Sequence, residues 1–124
     1  MIIAVAKKQG FRAVMLIMQA NPHFDDKKRK PNDGFTDTLA ALERETLNFP
    51  GQVVLVHGDS HYFRIDKPLV RAQNNPEGAR VENFTRVETF GPPDVHWIRA
   101  TADGKDPMVF QFEQRIVEKN IRPR

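Results

Sequence analysis

Val53-Val-Leu-Val-His-Gly-Asp-Ser-His-Tyr62 is the stretch on which the reading of this chain turns. Four apolar residues, three of them β-branched, run into His57 and stop at a glycine. Residues 52–57 therefore read as a short strand buried on both faces. Three side chains of the metal-ligating kind, His57, Asp59 and His61, crowd around Gly58 just past its end. In a sheet covered by helices, binding groups collect beyond the carboxyl ends of parallel strands, and this cluster would fall there.

Working upstream, Arg12-Ala-Val-Met-Leu-Ile-Met18 is a second apolar run, bounded by Gly10 and Asn21-Pro22. It also reads as a strand buried on both faces, with a buried helix the alternative that periodicity alone leaves open. Residues 1–10 form a short helical segment that ends at Gly10. Pro22 to Gly34 is polar, with the turn sequence Asn32-Asp33-Gly34, and should cross the surface as a loop. A helix fits residues 35–47, with Phe35, Leu39, Leu42 and Leu47 near one face, Asp33 as its cap and Pro50-Gly51 as its stop. Strand, helix, strand in that order predicts a crossover between two parallel strands.

Downstream, residues 58–82 show no clear periodicity and carry Gly58, Pro68, Asn74-Asn75-Pro76 and Gly78, so they read as loop. Residues 83–89 alternate, and residues 95–100 and 108–112 are further strands. Turns fall at Gly91-Pro92-Pro93 and Asp103-Gly104-Lys105. This pattern predicts an antiparallel meander over 83–118. The expected architecture is α/β in a single domain: a strand–helix–strand unit (1–57), a motif loop (58–82) and the meander.

A chain of 124 residues can bury one core, and 40% hydrophobic with 28% charged residues is the balance of a soluble globular protein. The net charge of +3 comes mainly from Lys27-Lys28-Arg29-Lys30 and the tail from Lys119 to Arg124. No aromatic residue interleaves with the basic cluster, so it offers no stacking platform, and nucleic acid is not the favoured partner. The absence of cysteine excludes disulfides and thiolate metal sites. The longest apolar run, Ala13 to Met18, is far too short for a membrane span, and the start lacks a signal peptide's basic region. A soluble, cytoplasmic chain is expected.

Imidazole and carboxylate donors suit Mn, Fe or Zn, and Gly58 lets the backbone come close to an ion or a phosphate. The plainer alternative is that His57 and His61 close a strand and hydrogen-bond locally. Arg64, Lys67 and Arg86 could hold a substrate phosphate, because Arg presents a fork matched to it, or could be ordinary exposed charges. Trp97 reads as packing, His96 as alternating to the opposite face, and His23 as a substitute ligand in the loop.

The stretch Gly58-Asp59-Ser60-His61 resembles the last motif of the calcineurin-like metallophosphoesterases, a strand followed by Gly-His-x-His. His61 matches the second His of that motif and Asp59 occupies the place of the first. Val14 to Pro22 resembles the preceding motif, with Gln19 where a metal-binding His is expected. The wider pattern of residues 59–68, Asn83 to Gly91 and Val95 to Ile98 looks like an uncharacterised bacterial branch of the superfamily. The resemblance implies the C-terminal portion of a four-layer α/β/β/α sandwich, with divalent metal bound by Asp59, His61 and Gln19. Arg64 and His57 would be contacts to a substrate phosphate. It also implies a hydrolase of phosphate monoesters or diesters. The earlier family motifs, Asp-x-His, Gly-Asp-x-x-Asp and Gly-Asn-His-Asp/Glu, do not occur before Ala13. The expectation is a truncated family member, inactive by itself, that self-associates or joins a missing N-terminal half. The alternative is a non-catalytic remnant or accessory module of the same fold.

Overall fold

The computed structural model describes residues 2–24, 33–71 and 78–123. The basic cluster at 27–30 and the Asn74-Asn75-Pro76 turn lie outside them. In chain order the elements are α1 (Ile2–Lys8), β1 (Ala13–Ile17), α2 (Thr36–Leu47), β2 (Gln52–His57), β3 (Arg64–Asp66), β4 (Phe84–Glu88), β5 (Trp97–Ala102) and β6 (Phe110–Arg115). A 3-10 turn, Glu118–Asn120, follows.

Local signals account for most boundaries. Ile3 and Ala6, three apart, put one face of α1 into the core, and Gly10 ends the segment with φ +70°. The N-cap of α2 is Phe35, with no side-chain cap, and Asp33 sits two residues earlier: its Oδ1 accepts the backbone N–H of Phe35 (2.9 Å) and of Thr36 (3.0 Å) and so fixes the turn into the helix. Leu42 and Thr46 are the buried residues of α2, whereas Leu47 is turned out to solvent. Four residues separate 42 from 46, which keeps both on one face. After Pro50, Gly51 leaves no room for a side chain, because a Cβ there would lie 2.0 Å from the carbonyl oxygen of Arg12. That close approach lets Gln52 donate its N–H to Arg12 O at 3.0 Å and starts the pairing of β2 with β1.

The two apolar runs are parallel neighbours, with Val14 beside Val53 and Ile17 beside Val56. The meander is corrected. Residues 84–88 leave it and pair in parallel with the other side of β2, Val53 beside Phe84 and His57 beside Glu88. Parallel strands need a connection of a dozen or more residues, and the stretch from Gly58 to Asn83 supplies it. That stretch was expected to be loop, but it holds β3, which runs back antiparallel along β4. The sheet order is β1-β2-β4-β3, and only β5 and β6 remain as a separate antiparallel hairpin. A second correction concerns β1. It lies at the sheet edge, not between neighbours, and Ile17 is 76% exposed.

The register sorts the side chains into two faces. Val14, Val53, Leu55 and Phe84 pack with Ile3, Ala6, Leu42 and Phe49 to form the core under the helices. On the other face, Val54 and Val87 are buried, and the hairpin residues Phe110 and Phe112 stand over that side. Two grooves of about 450 and 340 Å³ open between sheet and hairpin, on either side of Phe112. The molecule is thus an α/β protein of helices, a mixed four-stranded sheet and a two-stranded hairpin. Among the described residues, no helix is long and apolar enough to cross a membrane.

Candidate functional site at the carboxyl ends of the parallel strands

Because β1, β2 and β4 are parallel, their carboxyl ends meet along one edge, and three loops leave from it. Backbone bonds tie these loops together: Gly58 N–H donates to Gln19 O (3.0 Å) and Thr89 N–H to His57 O (2.9 Å). The side chains add to this. Asn21 donates its backbone N–H to Asp59 Oδ2 (3.3 Å) and its side-chain amide to Ser60 Oγ (3.2 Å). Gln19, Asp59 and His61 therefore lie in one loop cluster, as their places in the sequence imply.

The cluster holds three of the four non-glycine residues with positive φ among those described: His23 (53°), Asp59 (82°) and His61 (58°). Each such residue costs on the order of 1–3 kcal/mol and persists only where surrounding contacts hold it. The contact that holds His61 is defined. Its Nδ1 lies 2.7 Å from Pro92 O, and since a carbonyl only accepts, Nδ1 carries the proton. In the neutral ring the other nitrogen, Nε2, keeps its lone pair for a ligand, the tautomer that metal-binding histidines adopt. The ring rests on Gly91, where an added Cβ would come within 2.3 Å of His61 Cδ2.

His57 is 1% exposed. Its Nδ1 lies 2.9 Å from Gly58 O, and Nε2 is buried with no hydrogen-bond partner among the described residues. The ring therefore offers no surface to a phosphate arriving from solvent. Beside it in register is Glu88, fully buried, a residue not singled out in the sequence. Arg64 Nε donates to Glu88 Oε2 at 2.6 Å, while Oε1 is buried without a partner among the described residues. One position further back, Arg86 is fully buried and donates from Nε to Asp66 Oδ1 at 2.7 Å, with its guanidinium over the Phe24 ring.

The burial of Arg86 corrects its reading as a phosphate contact or open surface charge. Arg86 is inside the protein, and Arg64 is engaged by Glu88. Lys67 Nζ donates to Phe84 O (3.1 Å) and also reaches Glu82 O. A signal for the ladder was present in the sequence. Arg64-Ile65-Asp66 set antiparallel to Arg86-Val87-Glu88 matches each cation with a carboxylate.

His96 faces away from this edge in function: its Nδ1 accepts the N–H of Val117 (3.1 Å), and the ring stands edge-on to Phe90, which stacks on Phe63. Trp97 is 55% exposed on the hairpin. His23 is exposed and donates its N–H to Asn21 Oδ1 (2.9 Å). Among the described residues, no three His, Cys, Asp or Glu side chains gather closely enough to hold a metal ion. What the edge presents is a pair, Asp59 and His61, with Gln19 in the adjoining loop. The chain matches no family model, and no curated protein or solved structure matches it significantly.

Proposed function

We propose that the chain is a metallophosphoesterase-type domain portion that carries one half of a divalent-metal site. The observation that carries this reading is His61, held by Pro92 O in the tautomer that leaves Nε2 open, two residues after Asp59 in the same loop. Asp59 and His61 would be two donors and Gln19 a third, for Mn, Fe or Zn. Helices, sheet and hairpin fit three layers of an α/β/β/α sandwich, with the hairpin as part of its second sheet. A bound pair of ions would activate water and neutralise charge on a phosphate ester. Asp59, His61 and Gln19 would supply only part of one ion's coordination, since among the described residues no three His, Cys, Asp or Glu side chains gather closely enough to hold one. Asp59 and His61 alone would not hydrolyse a phosphate ester.

A second reading, a non-catalytic accessory module, draws on the engagement of Arg64, Lys67 and Arg86 in internal bonds. That leaves the site edge with few cations for a substrate phosphate. Calorimetric titration of the metal-stripped chain with Mn²⁺, beside His61→Ala, separates the two. Binding that disappears in the variant supports the half-site; no heat with the unaltered chain removes it and leaves the accessory module.

A further inference from the structure

The outer edge of β1 has a feature that is independent of the metal site. Arg12 O accepts from Gln52, and Met18 donates to Val56 O, so the even-numbered residues of this strand turn their backbone groups toward β2. Alternation then points the N–H and C=O of Ala13, Met15 and Ile17 the other way, where β1 has no neighbouring strand among the described residues. Edge strands are usually protected by charge, proline or a bulge. Ala13-Val-Met-Leu-Ile17 carries no charge and no proline, and it pairs with β2 residue for residue without a bulge. Exposed apolar side chains flank it, with Phe11 at one end, Ile17 at the other, and Trp97 of the hairpin lining the same groove as Ile17.

We infer that this edge pairs with the same edge of a second copy of the chain, antiparallel about a two-fold axis at Met15. The register follows from the geometry. The three outward-facing residues are symmetric about Met15, so Met15 meets its counterpart and Ala13 meets Ile17 on each side. All six outward groups of each copy are then satisfied, giving six hydrogen bonds in three closely bonded pairs. The opposed side chains are complementary in size, since the small Ala13 receives Ile17, the most exposed of the large apolar residues. Val14 meets Leu16 on the helix side. A shift of one residue would break this match and leave outward groups unpaired. The two Arg12 side chains end up at opposite ends of the pair and do not repel each other. The contact is smaller than the roughly 1,600 Å² of a standard interface, so the dimer forms in a concentration-dependent way.

The absence of cysteine makes a register-specific test simple. In the proposed pair the two Met15 Cα atoms lie about 5.5 Å apart, within disulfide range. The two Ala13 Cα atoms are separated by about four residues of strand rise, or ~14 Å. Met15→Cys should convert to a covalent dimer under mild oxidation, and Ala13→Cys should not. In sedimentation velocity the unaltered chain should pass from one to two copies with rising concentration. Met15→Pro should stay monomeric with an unchanged far-ultraviolet spectrum, because the N–H it removes points away from β2. If Met15→Pro fails to fold, the cysteine pair alone decides. The inference is overturned if the unaltered chain stays monomeric at every concentration. Equal crosslinking of the two cysteine variants, or dimerisation of a folded Met15→Pro, also overturns it. The same result would leave β1 to a strand of another polypeptide.

Discussion

Asn83 is a single side chain on which three stretches of the chain depend. Its Nδ2 donates to Thr46 O (3.0 Å), Phe49 O (3.0 Å) and Gly51 O (2.9 Å), the carbonyls that close α2 and carry the chain into β2. Two hydrogens serve three acceptors, so the net gain is that of about two bonds, or roughly 1–3 kcal/mol. Asn83 is half-buried, so water reaches some of the carbonyls when it is gone. Asn83→Ala should therefore cost about 2 kcal/mol in urea denaturation, which for a chain of this length lowers Tm by about 8 °C. Asn83→Asp should cost more at neutral pH, because a carboxylate would face three carbonyl oxygens. Its folded-state pKa would be raised, so this extra cost is present above the unfolded pKa and recedes on acidification, when the protonated acid can donate again. A loss under about 0.5 kcal/mol for Ala would refute the reasoning, since that is the range of an ordinary surface change. So would equal stability of the Asp and Ala variants at neutral pH.

Further outcomes follow from the other side chains named. Asp66→Ala should destabilise by about 2–3 kcal/mol and more than Arg86→Met, because it takes the carboxylate from a buried guanidinium while the methionine removes the buried charge as well; chemical denaturation of both variants checks the order. Gly91→Ala should displace the His61 ring from Pro92 O and weaken Mn²⁺ binding as much as His61→Ala does, with little change in stability because the ring is exposed; calorimetry and thermal melting separate the effects. Hydrogen bonds from the Gln111 side chain and from Met108 N–H, with the charge of Arg12, hold the Asp106 carboxyl below the usual aspartate range. Its folded-state pKa is the lower one, so its contribution to the hairpin is present above the unfolded value and lost as pH falls through the folded value. The Gln111 side-chain amide resonances should shift in that acidic window, and should not in Asp106→Asn.

Much of the sheet was legible because it rests on local signals. The two apolar runs, the Asp33 turn before α2 and the glycine at 51 lie within a few residues of the structure they determine. The unread parts depend on partners distant in sequence. Arg86 and Glu88 look like the solvent face of an alternating strand, yet both are buried because β3 brings Asp66 and Arg64, 20 and 24 residues away, to meet them. β3 itself is three residues long with two charges, too short and polar to register as a strand. The placement of β4 beside β2 was hidden for a related reason: alternation identifies a strand but not its neighbour. The exposure of Ile17 is likewise a property of sheet order, since composition alone makes β1 and β2 look equally buried. At the site edge, sequence put Gln19, Asp59 and His61 together. It gave no hint that Pro92 fixes the tautomer of His61, which needs a contact across 31 residues.

The most direct test of the half-site is the location of the ion. Mn²⁺ is paramagnetic and broadens nearby resonances, so a titration of the isotopically labelled chain maps where it sits. Selective broadening of Gln19, Asn21, Asp59 and His61, with Gly91 close behind, is expected, and its loss in His61→Ala. Broadening centred elsewhere, or none at all, would contradict the half-site.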